Sequence, residues 1–213
     1  ELWRGPWAGI SRTNWILTNI DKSPKISDAK KTQYKGEAHF LRGLYYFNLV
    51  RLFGDVPWID KQQTASDDLQ VSRTSKDIVY QHIIDDFSDA ASMLPAVYEN
   101  TTDIGRATKG AAFGLLAKVY LTLKRYNETL VAIDSVMNLG VYSLNRKYEW
   151  NFSDLRENGP ESLFEVQYEK DVTAYSEFDI LGQGGWHHEY MAPLASINIG
   201  GPWGNFGWFA VYP

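Results

Sequence analysis

The segment KGEAHFLRGLYYFNLVRLFGDVPW, residues 35–58, is the most informative part of this chain. At about 100° per residue its apolar side chains cover nearly the whole circumference of a helix, which predicts burial on almost every side. Gly54 supplies a stop signal, Asp55 favours a turn, and Pro57 prevents the helix from continuing. We therefore expect a long core helix that ends abruptly where the chain turns away.

Two arginines break the apolar surface of this predicted helix. Arg42 and Arg51 both fall among apolar positions on the helical projection. A guanidinium in such a place must find an ionic partner or extend to a polar rim. We expect both side chains to pin the helix to its neighbours, and direct contact with a ligand is the alternative.

Helical periodicity extends over the first two thirds of the chain. Apolar residues recur every three or four positions, and Ser75 offers an N-cap for the third period. Ile78 is expected on the buried face of that helix. The apolar face of the fifth helix is expected to consist of Thr129, Leu130, Ile133, Val136 and Met137. The five predicted helices cover residues 3–20, 33–53, 75–94, 107–123 and 127–140.

The character of the sequence changes after Tyr142. Residues 163–168 alternate as a strand does, and residues 171–213 are rich in Gly and aromatic residues without a helical period. The sequence therefore predicts a mainly α fold of tetratricopeptide-like helical hairpins with a loop-rich, partly β C-terminal region. We place the helical scaffold at residues 1–145 and the aromatic, Gly-rich region at residues 146–213, as parts of one fold.

Composition excludes several kinds of function. A formal net charge of −5 argues against binding to nucleic acid or to anionic membranes. The chain has no cysteine, hence no disulfide and no thiolate nucleophile, and its sequence holds no catalytic or nucleotide-binding motif. His187, His188 and Glu189 are adjacent, and consecutive side chains of an extended chain point to opposite sides. We therefore expect neither a metal site nor a cofactor.

Aromatic residues are the candidates for ligand binding. They make up 15% of the chain, a high share that a core does not fully account for. Trp186, Trp203 and Trp208 stand among glycines, so a ligand can approach the backbone while a flat ring stacks on it. Trp3 lies on the first predicted helix and is a fourth candidate. For all four, packing inside the protein is the alternative interpretation.

The motif E-A-x-F-L-R-x-x-Y-Y-F-x-L-V-R-L-F-G-D-V-P at residues 37–57 resembles a signature of the SusD/RagB family. Further segments resemble that family in the same order, at residues 3–14, 73–95, 106–144 and 161–168. Its members are surface glycan-binding lipoproteins of Bacteroidetes, held on the extracellular face of the outer membrane by an N-terminal lipidated cysteine. The resemblance implies the same location for this protein and suggests that the chain, which lacks that cysteine, is a fragment of a larger SusD-like domain.

The resemblance also implies a non-catalytic protein that captures oligosaccharides and delivers them to a SusC-like, TonB-dependent transporter. Peptide cargo is a variant, since some relatives pair with peptide importers. A helical-repeat scaffold that binds only other proteins is a further alternative. Arg42, Arg51, Asp55 and Pro57 all fall within the family motif, and we interpret them as structural residues.

Overall fold

The computed structural model describes residues 2–64, 66, 67, 69–153 and 156–167. Over these residues the chain forms five α-helices and three short 3₁₀ turns without a strand ladder, which confirms a mainly helical fold. The helices are α1 (Arg4–Asn19), α2 (Asp28–Phe53), α3 (Lys76–Met93), α4 (Lys109–Thr122) and α5 (Tyr126–Met137). The 3₁₀ turns are Ile20–Lys22, Thr101–Asp103 and Tyr148–Phe152. Each helix packs against the next one along the chain, which gives an open array of helical hairpins.

The described helices belong to one compact unit, Glu1–Glu165, and a second unit, Val166–Pro213, follows it in sequence. Residues 146–165, which the sequence grouped with the C-terminal region, therefore lie in the helical unit. Two hydrogen bonds join the chain just before this stretch to residues near its end. The backbone N–H of Ser143 donates to the carbonyl of Pro160 at 3.0 Å, and that of Asn145 donates to the Glu161 carboxylate at 2.9 Å.

Helix α2 begins earlier than its apolar period predicts. Ser27 is the N-cap, and its hydroxyl oxygen accepts a hydrogen bond from the backbone N–H of Lys30 at 3.4 Å. The predicted start at residue 33 was wrong because the first turn is polar and carries no apolar period. A capping side chain that satisfies a free N–H sets the start of a helix independently of its buried face.

The end of α2 agrees with the sequence, but its last turn is less buried than expected. Gly54 has a φ of +68°, a conformation that glycine adopts without the steric cost of a Cβ. Leu52 is 57% exposed and Phe53 is 37% exposed, so the prediction of burial on almost every side was wrong here. Neighbouring helices of an open array flank α2 without enclosing it, and the outer side of the last turn stays in water. The fully buried aromatic and leucine side chains lie further back and are Phe40, Tyr46, Phe47 and Leu49.

The turn after α2 is tied to the start of α3. The Asp55 carboxylate accepts a hydrogen bond from the backbone N–H of Lys76 at 2.8 Å, and Val56 forms an antiparallel bridge with Thr74. Ser75 occupies the N-cap position as predicted, but its side chain makes no capping hydrogen bond. Asp55 therefore serves two elements, since it lies in the turn and also satisfies a free N–H at the start of α3.

Helix α3 presents a buried face to the core, but Ile78 is not part of it. Ile78 is 52% exposed, whereas the next residue, Val79, is fully buried. One residue corresponds to a rotation of about 100° around the helix, which is enough to move a side chain from the core to solvent. The prediction for Ile78 was wrong because the apolar residues at the start of this helix outnumber the positions that α2 covers. The buried positions include Val79, Ile83, Phe87, Ala90 and Ala91.

The small residues of α4 receive side chains from the chain that follows the helices. A Cβ on Gly110 would overlap the ring of Tyr142, and a Cβ on Gly114 would overlap the side chain of Leu163. The strand expected at residues 163–168 does not form over residues 163–167. Instead Leu163 fills the space above Gly114, and the ring of Phe164 packs at 4.9 Å from that of Phe40. Alternation along one segment does not show whether a partner strand will be present.

Helix α5 buries only part of its predicted face. Thr129, Ala132 and Val136 are buried, whereas Leu130 and Met137 are more than 60% exposed. The prediction was therefore wrong for Leu130 and Met137, and also for Ile133, which is 44% exposed. The physical reason is that α5 packs on α4 alone among the described helices, and one neighbour covers only one side of a helix.

Candidate functional site

A cluster of buried polar side chains joins α1, α2 and α3. Arg42 on α2 forms a bidentate ion pair with Asp86 on α3, with Nε–Oδ2 and Nη2–Oδ1 distances of 2.9 and 2.7 Å. Its third nitrogen, Nη1, donates to the Asn14 side-chain oxygen on α1 at 2.9 Å and to the Asp60 carbonyl at 3.0 Å. One guanidinium therefore links three helices and the loop after α2. We call this cluster, together with His39 and Tyr46, the polar knot.

The remaining members of the polar knot extend its contacts. Asn14 donates from Nδ2 to the Ile59 carbonyl at 2.7 Å, and the Tyr46 hydroxyl accepts from the Ile59 N–H at 2.8 Å. His39 Nδ1 lies 2.7 Å from the Asp86 carboxylate. Burial raises the pKa of the Tyr46 phenol well above its usual range, so that it stays protonated and holds the loop as a neutral group.

The geometry of the polar knot is that of a structural element. In the described part of the chain no buried side-chain nitrogen or oxygen lacks a hydrogen-bond partner. Arg42 and Asp86 are both nearly inaccessible, at 7% and 2% exposure. A ligand would have to displace these contacts to reach the charged atoms, and the loss of one partner from a buried ion pair costs about 3–5 kcal/mol.

The other predicted structural residues have different surroundings. Arg51 is exposed, donates to the Asn48 side chain at 2.7 Å and lies 4.4 Å above the ring of Phe47. These partners lie on α2 itself. The hydrogen bonds of Arg51 therefore do not join α2 to another helix, as we had expected. Asp55 caps α3 as described above, and Pro57 is half-buried in the same turn.

Of the predicted ligand-binding residues, the structure describes only Trp3. Its side chain is 39% exposed and packs edge-on against Trp7 at 5.3 Å and Phe53 at 5.0 Å. Trp3 thus joins the start of α1 to the end of α2 and keeps part of its surface in solvent. The other candidates, Trp186, Trp203 and Trp208, lie outside the described residues, as does the segment 187–189.

Sequence reasoning missed Trp58, which closes the polar knot on one side. Its ring lies 4.2 Å from that of Tyr46 and is stacked on His82 at 4.4 Å with an interplanar angle of 13°. The Arg42 guanidinium lies 5.4 Å from its centroid. The only signal for this role is the position of Trp58 directly after Pro57, where the turn directs the chain back over the core.

A cleft of about 300 Å³ lies between the loop before α4 and the chain that follows α5. Tyr98, Tyr142 and Phe164 supply its rings, and Arg106 supplies its positive charge. Arg106 forms ion pairs with Glu37 at 2.7 Å and with Asp103 at 2.8 Å. Sequence reasoning missed these residues, because no residue type or spacing distinguishes them from ordinary loop residues.

Two polar side chains of the cleft, those of Tyr98 and Arg106, bond to other groups of the protein. Tyr98 contacts the Glu37 carboxylate at 3.2 Å and the Ala107 carbonyl at 2.9 Å, and burial raises the pKa of its phenol above its usual range. The polar groups of Tyr98 and Arg106 are thus engaged within the protein, and the cleft also presents the exposed apolar side chains of Val97, Ile104 and Val141. A second depression, about 270 Å³, is the mostly apolar groove between α4 and α5.

The described residues hold no group of three or more His, Asp or Glu side chains placed to bind a metal ion. None of their helices is long and apolar enough to cross a membrane.

Comparison with known proteins assigns the fold described above. Residues 1–121, which include the polar knot, match a SusD-like family described as starch-binding and associating with the outer membrane. This chain belongs to the SusD-like family. The resemblance to SusD seen in the sequence is thereby confirmed.

Individual relatives of this SusD-like chain extend the match. SusD-like protein P25 of Formosa agariphila is 25% identical over 203 residues, 91% of this chain and 38% of its own length. Surface glycan-binding protein A from Bacteroides fluxus is 26% identical, with a TM-score of 0.79 over 90% of this chain and 41% of its own. A laminarin-binding SusD-like protein is 29% identical, with a TM-score of 0.72 over 78% of this chain and 37% of its own. The SusD-like chain thus spans about two fifths of the relatives it matches, which fits a part of a larger domain.

Proposed function

We propose that this SusD-like chain is part of a non-catalytic cell-surface protein that binds oligosaccharides and delivers them to a SusC-like, TonB-dependent outer-membrane transporter. The observation that carries the proposal is the shared scaffold, since the helical array superposes on a surface glycan-binding protein with a TM-score of 0.79 over 90% of the chain. A laminarin-binding relative with a TM-score of 0.72 supports the same class of ligand.

The scaffold and the ligand-binding residues have separate tasks in this proposal. The polar knot fixes α1, α2 and α3, so that the loops they carry are largely preformed when the ligand arrives. Trp186, Trp203 and Trp208 are the proposed sugar contacts, because flat rings pack on the apolar faces of sugars while nearby polar groups bond the hydroxyls. Trp3 is a weaker candidate, since the rings of Trp7 and Phe53 already pack against it.

The test uses the full-length product of the gene. Its mobility in native gels containing laminarin, starch or another neutral glycan is compared with its mobility in plain gels, and calorimetry measures binding to the oligosaccharides that retard it. We expect Trp203→Ala or Trp208→Ala to weaken binding by about tenfold or more, which is about 1.4 kcal/mol. Trp15→Ala is the matched control, because Trp15 is 56% exposed on α1 and belongs to the scaffold.

Other outcomes separate the alternatives. Failure to bind any glycan, together with binding of oligopeptides in the same calorimeter, would redirect the proposal to peptide cargo. Capture of a TonB-dependent transporter in a pull-down with tagged protein tests delivery. Transporter binding without any affinity for glycan or peptide would favour the protein-only scaffold.

A further inference from the structure

The turn at residues 156–160 places an asparagine directly before a glycine. Asn158 has a φ of +54°, whereas Gly159 does not have a positive φ. The left-handed region is ordinarily taken by glycine, and asparagine is one of the few other residues that enter it. In this turn the asparagine takes that conformation, so the glycine after it is not required by its own φ.

Gly159 leaves the approach to its backbone nitrogen open, because it carries no Cβ. That nitrogen is one bond beyond the main chain of Asn158, and a bond from it to Asn158 Cγ closes a five-membered ring. A larger side chain at the following position obstructs this approach. Asn158 is also exposed, so water has access to the ring once it has formed.

The other exposed asparagines outside the helices have bulky followers. Asn158 is the only asparagine of the sequence that glycine follows. Asn138, just past the end of α5, precedes Leu139, and Asn151 precedes Phe152. Both side chains are exposed, so these two positions share the solvent access of Asn158 and lack the glycine.

We propose that Asn158 is a site of spontaneous deamidation, in which the chain supplies its own nucleophile and water is the second reactant. Solvent base removes the proton of the Gly159 backbone N–H, and the nitrogen bonds to Asn158 Cγ. The Cγ–Nδ2 bond breaks and ammonia leaves, which gives a succinimide. Water then opens the ring at one of its two carbonyl carbons. Opening at Cγ gives aspartate, and opening at the main-chain carbon gives isoaspartate.

The products change contacts that hold the turn. The backbone N–H of Asn158 donates to the Glu165 carboxylate at 3.0 Å, and the Gly159 carbonyl accepts from the Ser162 N–H at 3.0 Å. Both products add a negative charge near Glu165, and isoaspartate also lengthens the main chain by one CH₂ group between these two bonds. Asn158 and Gly159 line the cleft before α4, so the reaction alters the rim of that cleft.

The same hydrogen bonds set the rate in the folded protein. Ring closure requires rotation of the main chain between Asn158 and Gly159, so the reaction proceeds from the locally opened turn. Local opening of an exposed turn costs far less free energy than global unfolding. We therefore expect a native rate below that of the urea-unfolded chain and above that of the other exposed asparagines.

Peptide mapping by mass spectrometry tests the proposal on the full-length gene product, incubated at neutral and at mildly alkaline pH. Deamidation raises the mass of a peptide by about 1 Da, and an isoaspartate-specific methyltransferase marks the isoaspartyl product. Asn138 and Asn151 are internal controls in the same sample. Gly159→Ala is the matched variant, since its Cβ meets only the Arg156 carbonyl oxygen closely, at 3.1 Å. Asn158→Gly, which suits the positive φ, gives the blank.

We expect product to accumulate at position 158 about tenfold or more faster than at positions 138 and 151, which is about 1.4 kcal/mol in the barrier. The rate should rise at alkaline pH and fall in Gly159→Ala. Equal rates at the three positions in the native protein would overturn the proposal, as would reaction at position 158 in urea alone. The comparison within one unsubstituted protein holds even if Gly159→Ala melts early. None of these outcomes depends on whether the protein binds a glycan.

Discussion

Removal of the Asp86 carboxylate should destabilise the helical unit more than the loss of any exposed charge. In Asp86→Ala, the Arg42 guanidinium keeps its buried position but loses two charge-assisted hydrogen bonds, of 2.9 and 2.7 Å. His39 loses its 2.7 Å contact as well. The side chains of Arg42 and Asp86 are only 9% and 3% exposed, so water compensates little for the loss.

The magnitude follows from the burial of the pair. An uncompensated buried charge costs about 3–5 kcal/mol, and the individual hydrogen bonds are already included in that figure. For a unit of this size, about 1 kcal/mol lowers the melting temperature by about 2–4 °C. We therefore expect the melting temperature of the helical transition to fall by about 6–20 °C.

The assay is thermal and urea unfolding followed by far-UV circular dichroism. Asp85→Ala is the matched control, since the neighbouring carboxylate is exposed and only accepts a hydrogen bond from Gln81 at 2.9 Å. We expect a change within about 0.5 kcal/mol for this control. If Asp86→Ala were no more destabilising than Asp85→Ala, the polar knot would not be what joins the three helices. A double-mutant cycle with Arg42→Ala then measures the coupling directly.

Two further perturbations test packing and burial. Gly36→Ala should destabilise the protein by about 1–3 kcal/mol, because the added Cβ would lie 2.9 Å from the Cβ of Met93. Gly5→Ala is the control. Nothing lies within contact distance of a Cβ at Gly5, so this substitution should be neutral or stabilising by up to about 1 kcal/mol. Urea unfolding of both variants checks this, and equal effects would contradict it. The raised pKa of Tyr46 predicts loss of stability with rising pH, because the unfolded chain ionises first, from about pH 10 upward. The free energy of unfolding, measured at a series of alkaline pH values, should decline less for Tyr46→Phe than for the unsubstituted protein. An unchanged decline would show that Tyr46 is not its source.

The polar knot shows where sequence reasoning stops. The sequence placed Arg42 among apolar residues and required a partner for it, but two adjacent carboxylates, Asp85 and Asp86, were equal candidates by residue type. On α3 they differ by about 100° of rotation, and only the packing of that helix against α2 turns one inward. Asp86 is 2% exposed, whereas Asp85 lies in solvent. The local sequence showed that Arg42 needed an ionic partner. It did not show which carboxylate that partner would be.

The errors in the helix predictions have a similar origin. Apolar spacing predicted all five helices, since amphipathic periodicity is a property of the local chain. It could not predict the start of α2 at a polar cap, the exposure of Ile78, or the absence of a strand over residues 163–167. Each of these depends on which part of the protein packs nearby. The spacing of residues in one sequence does not show which segments pack together.

The sequence by itself determined the helical class, the abrupt end of α2 at Gly54 and the membership suggested by the motif at residues 37–57. These follow from periodicity, from the backbone freedom of glycine and from a long pattern of residue types. The packing of the helices settled three further points: Asp86 is the partner of Arg42, Arg51 hydrogen-bonds within its own helix, and Leu130 and Met137 of α5 are exposed. The spacing of residues along the sequence sets the direction of each side chain around its helix. The surface that pairs with a side chain, or leaves it in water, is made of residues distant in sequence.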